Sequence, residues 1–169
     1  MECVVCGVEV ARSDTGRPRS TCGQRCRKRL SRVRALSPFP ARMTGEARWV
    51  RADGKRPIQV DGSPASSTDS DTWARYCDVQ SGAGDGFGVM LGGGLGCVDL
   101  DHCLEDGVLA PWAAEVLDAE SSLFVEVSLS GTGLHVFVEC PEGPGSRRGG
   151  VERYSRGRFI RCTGVEFVR

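Results

Sequence analysis

Two aspartates two residues apart, Asp99 and Asp101, stand in the run LGGGLGCVDLDHC over residues 91–103. In a β-strand the side chains at i and i+2 share a face. An extended reading therefore puts both carboxylates on one side, with Val98 and Leu100 against a core on the other. Like charges held that close repel unless a cation lies between them. Hard oxygen donors of this kind suit Mg2+ or Mn2+, ions often shared with substrate phosphates. A solvated, charged strand end is the competing reading. Further along, Ser130-Gly131-Thr132-Gly133-Leu134-His135 sets a hydroxyl-bearing turn beside one of only two histidines in the chain. Such a turn can bind triphosphate oxygens through hydrogen bonds and a partly charged imidazole, although a strand histidine also serves packing alone. Glu152 in VERYSRGRFIRCTG would be a third carboxylate and Arg158 a cation near it; either could equally be a cross-strand salt-bridge partner. Lys55 follows a turn where a cation can reach a phosphate, and an ordinary surface lysine is the alternative.

A second kind of chemistry lies in the first 36 residues. Cys3-x2-Cys6 and Cys22-x3-Cys26 are separated by fifteen residues. Each pair can grip one ion, and four thiolates complete a tetrahedral structural Zn2+ site. Gly7 permits the tight turn after the first pair. A head this small has almost no apolar core, so metal would supply much of its folding energy. Two disulfides, or free thiols, are the competing readings. From Gly23 to Leu36 the sequence GQRCRKRLSRVRAL reads as a helix, with Leu30 and Val33 on one face. Arg25, Arg27, Lys28, Arg29, Arg32 and Arg34 spread over the rest. Such a helix could lie along nucleic-acid phosphates or simply be solvated.

The elements that must position these residues follow from period and turn chemistry. Ser37, Pro38 and Pro40 break the helix and read as a linker over 37–42. Strand-like runs at 48–51 and 57–60 flank the turn Ala52-Asp53-Gly54, and Ser70 or Asp71 can cap a short helix carrying Trp73 and Tyr76. The glycines at 82–96 lack the GK[ST] ending of a phosphate loop and precede a strand, so residues 87–91 and 96–101 read as antiparallel strands about a glycine turn. Residues 109–122 form an amphipathic helix with Trp112, Val116 and Ala119 as its buried stripe. Strands at 123–129 and 134–140 make a hairpin. Residues 143–150 are a mobile basic loop. A last hairpin runs from 151–155 through Arg156-Gly157 to 158–163. Cys77, Cys97, Cys103, Cys140 and Cys162 have no close pairing and read as small buried apolar residues.

A chain of 169 residues suits one compact body plus a small appendage. Formal net charge is zero, yet residues 1–34 hold nine Arg or Lys against three acids, and residues 99–126 hold eight acids and no Lys or Arg. That asymmetry fits a protein holding a polyanion at one place and metal ions at another. No stretch approaches the ~18 apolar residues needed to span a bilayer, and the cysteine-laden N-terminus is unlike a secretory signal. The expected compartment is a reducing bacterial cytoplasm, or that of a phage-infected host, where clustered cysteines bind metal.

The head, over about residues 3–34, resembles the small zinc-binding motif of many phage and plasmid proteins: a CxxCG knuckle, an Arg-rich hairpin (GRPRSTC), then a CRKR-type helix. The resemblance implies structural zinc and, less directly, nucleic-acid binding. Residues 43–164 are similar to the primase–polymerase domains of the archaeo-eukaryotic primase superfamily, most of all to the versions carried by phages and actinobacterial mobile elements. Asp99 and Asp101 match the first motif, Asp-x-Asp on a strand. Ser130 to His135 match the Ser-x-His-like second motif, and Glu152 matches the acidic third, where many relatives use Asp. KRPIQVDG points to Lys55 as a nucleotide contact, and GRFIRCTG to Arg158.

The resemblance implies an α+β, RRM-like-derived catalytic body of antiparallel or mixed sheet with flanking helices (43–169) behind the zinc module (1–36). It implies a template-dependent nucleotidyltransferase, a DNA primase and/or polymerase. Asp99, Asp101 and Glu152 would hold two divalent ions, while Lys55, Ser130, His135 and Arg158 would orient an NTP or dNTP on a single-stranded DNA template. Many relatives continue into a helicase; here a separate helicase, or none, is implied. Two other function classes stay open: a nucleic-acid-binding module with a degenerate site, and a metal-dependent nuclease built on the same acids.

Overall fold

The computed structural model describes residues 2–3, 5–10 and 20–169, and only the backbone of 33–36. Most of the Arg-rich GRPRSTC hairpin, the packing of Val33 and the side chain of Arg34 lie outside the described residues. The body is a mostly-β α+β fold. A four-stranded sheet takes the order β11-β3-β1-β2, from Trp49–Asp53 (β1), Arg56–Ile58 (β2), Gly86–Met90 (β3) and Phe159–Cys162 (β11). A five-stranded sheet takes the order β7-β8-β4-β10-β9, from Leu95–Leu100 (β4), Ser122–Val127 (β7), Leu134–Glu139 (β8), Ser146–Arg148 (β9) and Val151–Tyr154 (β10). Every pairing is antiparallel. Leu104–Glu105 (β5) and Val108–Leu109 (β6) form a small separate hairpin.

The period of two in β4 and β8 decides how the layers stack. Cys97 and Phe137 face a core shared with the four-stranded sheet, where Trp49, Val89, Ile160 and Cys162 meet them. Val98, Leu100, Leu134, Val136 and Val138 face the opposite way, under Ala113 of the helix Pro111–Ala119 (α3). The two central strands of the five-stranded sheet, β8 and β4, are thus covered on both faces. Asp99 and Asp101 fall on the Cys97 side, as the alternation requires.

Phe39, within the stretch that reads as a linker, is buried among Trp49, Tyr76, Phe87 and Phe124, with ring centroids 4.9 to 6.2 Å away. Met43 of the short helix Ala41–Thr44 (α2) is fully buried beside it. Phe39→Ala would remove the ring joining these four aromatics. The expected cost is about 3–5 kcal/mol of folding stability, read from urea denaturation with an unchanged m-value.

Several local expectations are corrected. The strands flanking Gly92-Gly93-Gly94 do not form a hairpin: β3 and β4 belong to different sheets. Three consecutive residues at positive φ (139, 57 and 85°) let the chain leave one layer and start the other. Likewise β10 and β11 are not paired with each other, because the segment through Gly157 (φ 59°) crosses from the five-stranded to the four-stranded sheet. The basic stretch 143–150 contains an edge strand, β9, pinned to β10 by its ladder. The helix expected over 109–122 spans Pro111–Ala119. Its packing face is Ala113, Val116 and Leu117, and Trp112 is 38% exposed. A small residue is needed where the helix presses on the sheet, and the indole instead covers Gly150. Asp69, rather than Ser70 or Asp71, caps the single 3-10 turn at Ser70–Thr72.

Candidate functional site

Three neighbouring strands bring the acids and the histidine to one level. In the ladder Asp99 on β4 lies opposite His135 on β8 and opposite Glu152 on β10. Asp101 follows just past the strand end, its N–H donating to the Gly150 carbonyl at 2.8 Å. His102, at φ 51°, then turns the chain away.

Asp99, Asp101 and His135 open onto a cleft of about 560 Å3 between the two sheets. Asp99, Asp101, His135, Ser128 and Ser130 line one wall; Lys55, Arg158 and Arg161 line the other. Lys55 sits in the tight turn between β1 and β2, and Arg158 stands just before β11. An acidic wall therefore faces a cationic one. Ser128, Ser130 and Thr132 form a chain of hydroxyls with oxygens 3.1 and 3.0 Å apart. Arg158 is stacked on Tyr154, its guanidinium carbon 4.4 Å from the ring centroid.

Burial pushes the Asp99 carboxyl above the usual aspartate range. Asp101 and Glu152 push it the same way, while His135 and Arg158 oppose. The folded protein then keeps this proton to higher pH than the unfolded chain does. Stability is lost as pH rises from the ordinary value of about 3.9 through the raised one, and it stays lost at neutral pH. Asp99→Asn should thus be more stable than wild type at pH 7, with the gain vanishing near pH 3; paired urea titrations at the two pH values check this.

Glu152 is differently placed. It shares a register position with Arg147 on β9 as well as with Asp99, and its carboxylate takes Arg147 Nε at 2.9 Å. The Tyr154 hydroxyl also donates to it. Glu152 is 7% exposed and is not part of the cleft wall. Among the described residues, the only group of three or more potential metal-ligating side chains gathered within 4.8 Å of one another is a cysteine set. The structure thus brings Asp99, Asp101, His135, Lys55, Ser130 and Arg158 to one cleft. It holds Glu152 one strand away, turned to Arg147.

Glu126 went unnoticed in the sequence. It is 0% exposed, and its Oε1 lies 2.9 Å from His135 Nδ1. The signal was present in LFVEVSL: Phe124, Glu126 and Ser128 alternate with Leu123, Val125 and Val127, which puts an acid on the inward face beside His135.

The cysteine set is Cys3, Cys6, Cys22 and Cys26. The Sγ separations among Cys6, Cys22 and Cys26, 3.5, 3.5 and 3.7 Å, are too long for disulfide bonds and lie close to the ~3.8 Å edge of a tetrahedron with Zn–S bonds of ~2.3 Å. Gly7, at φ 74°, returns its N–H to the Cys3 carbonyl and closes the knuckle. Burial raises the Cys3 thiol, but backbone N–H groups of Val5, Cys22 and Cys6 outweigh it and bring the pKa to about 6. Hydrogen bonds with Cys6 and Cys26 push Cys22 up to about 12. A dication replacing those shared protons removes the conflict, so the four sulfurs can hold a structural zinc ion.

The helix Gln24–Leu36 (α1) leaves this cluster and carries no acid. Arg29 pairs with Asp78 of the body at 3.0 Å, and Arg75 of the body pairs with Glu2 at 3.7 Å. Arg25, Arg27, Lys28 and Arg32 are exposed. No helix among the described residues is long and apolar enough to cross a membrane.

No protein-family model matches the chain, and no curated protein matches it.

Proposed function

We propose that this protein is a template-dependent nucleotidyltransferase, a DNA primase and/or polymerase whose body is of the archaeo-eukaryotic primase type. The observation that carries the reading is the opposed pair of walls in one cleft: Asp99 and Asp101 beside His135, facing Lys55 and Arg158. A nucleoside triphosphate needs such a pairing. Its phosphates take cations and hydroxyl donors, and its reacting phosphorus sits where negative charge must be gathered and neutralised.

Asp99 and Asp101 supply hard oxygen donors on one face, the set that Mg2+ or Mn2+ prefers, and Glu152 would join them on leaving Arg147. Bound there, divalent ions would supply charge neutralisation for the attacking 3′-hydroxyl and the departing pyrophosphate. The protein's own groups do the positioning. Lys55 and Arg158 hold the triphosphate from the cationic wall, and Ser130 presents a hydroxyl from the facing turn. Tyr154 keeps the Arg158 guanidinium flat and aimed. Holding nucleotide and strand end in line is catalysis by orientation, with no covalent intermediate. The basic face of α1 lies along single-stranded template, its phosphates meeting Arg25, Lys28 and Arg32. Either NTPs or dNTPs satisfy the cationic wall.

The test is incorporation of labelled nucleotides on single-stranded DNA with Mn2+ or Mg2+, with and without primer. Metal-dependent lengthening supports the reading. Template binding without incorporation, or strand shortening that needs no triphosphates, overturns it in favour of a binding module or a nuclease.

A further inference from the structure

We propose that Glu126 is the positioning residue of this site: it fixes which nitrogen of His135 works in the cleft. The inference rests on the nucleotidyl-transfer reading for its kinetic arm and on geometry alone for the rest.

Glu126 divides its two oxygens between different tasks. Oε1 faces His135 Nδ1 at 2.9 Å. Oε2 accepts the N–H of Gly164 at 2.8 Å and the N–H of Thr163 at 3.1 Å. A carboxylate can only accept, so Nδ1 must be the ring's donor. Nε2 is then the nitrogen left to the cleft that His135 lines, beside Asp99 across the ladder. The ring is also held edge-on to Phe137, with centroids 6.3 Å apart at 71°. Tautomer and orientation are both set from behind, as a buried carboxylate sets a working imidazole elsewhere.

The wiring extends to the other sheet. Thr163 and Gly164 directly follow β11, the edge strand of the four-stranded sheet, whereas Glu126 and His135 belong to the five-stranded one. The Thr163 hydroxyl is itself anchored, donating to the Val127 carbonyl at 2.6 Å. The turn after β11 thus holds Glu126, and Glu126 holds His135.

Glu126→Gln is a near-isosteric inversion of this wiring. The two backbone N–H groups at 163 and 164 demand an acceptor, so the amide oxygen must face them. The amide NH2 then faces Nδ1, which is forced to accept, and the ring proton moves to Nε2. The cleft nitrogen can then donate a hydrogen bond but no longer accept a proton or a hydrogen bond from a ligand.

The experiment reads 15N signals of the His135 ring, separated from His102 by a His102→Gln control. In wild type the neutral ring should carry its proton on Nδ1; in Glu126→Gln, on Nε2. A wild-type ring protonated on Nε2, or a variant ring that does not switch, overturns the proposal. In the polymerisation assay Glu126→Gln should lower kcat about 100-fold with nucleotide KM within about threefold of wild type. An unchanged kcat in a variant whose ring has switched also overturns it. In a His135→Asn background Glu126→Gln should cost nothing further; an additive loss would mean that Glu126 acts on packing rather than through His135. If wild type incorporates no nucleotide, the transferase reading fails by itself, and the ring signals still decide what Glu126 does.

Discussion

Asp101→Ala is expected to lower nucleotide incorporation at least ~10³-fold, because it removes half of the only paired carboxylate wall in the cleft. This position separates chemistry from folding better than its neighbour. Asp101 lies one residue beyond β4, and its ladder contact to Gly150 is made by the backbone, which alanine retains. Asp99, by contrast, sits within the ladder between His135 and Glu152 and carries a raised carboxyl, so its replacement changes folding stability as well as the cleft. The expected pattern for Asp101→Ala is therefore an unchanged urea midpoint, unchanged template binding through α1, and no product. Labelled product surviving in Asp99→Ala/Asp101→Ala would remove the transferase reading altogether.

Removing zinc is expected to have the largest effect on folding. Among the described residues of the head, the apolar cluster is Cys3, Val5 and Val10, with Cys26 and Leu30 packed against them. A structural Zn2+ bound by four thiolates contributes roughly 10–16 kcal/mol of apparent binding free energy at neutral pH, far more than so small a cluster can supply. The protein purified under reducing conditions should hold one zinc per chain. Chelation, or Cys22→Ser, should unfold residues before 37 and release the Arg29–Asp78 pair. The body has its own two cores and should keep its transition. Absence of zinc from the native protein, or full zinc retention in Cys22→Ser, would contradict this.

Much of this arrangement was legible in the sequence because it depends on local period and spacing. The i, i+2 spacing of Asp99 and Asp101 determined their shared face, and Cys3-x2-Cys6 with Cys22-x3-Cys26 determined a closed thiol cluster. The hairpin carrying His135 followed from its turn residues. What was not legible depends on which sheet a strand joins. A glycine run permits a hairpin and a crossover alike, and only the bulk of Trp49, Phe39 and Phe137, which needs two layers to enclose it, selects the crossover. The partners of Glu152 were hidden for the same reason: its neighbour Arg147 lies in a stretch that reads as a loop until β10 gives it an edge to pair with. Glu126 was readable as an inward acid, but not its link to Thr163 and Gly164, which come from the opposite layer.

The position of that last link has a bearing on biogenesis. Synthesis runs from the N-terminus, and domains fold as their parts emerge. Every cleft-lining side chain up to Ser130 and His135 is made well before residue 164, yet the backing of Glu126 is complete only once Thr163 and Gly164 leave the ribosome and meet it. A nascent or prematurely terminated chain ending at Ser155 would carry Asp99, Asp101 and His135 while lacking Arg158, β11 and the backing for the imidazole. On the transferase reading such truncated products would be nucleotide-silent, and only a chain that includes Thr163 and Gly164 would carry the full site.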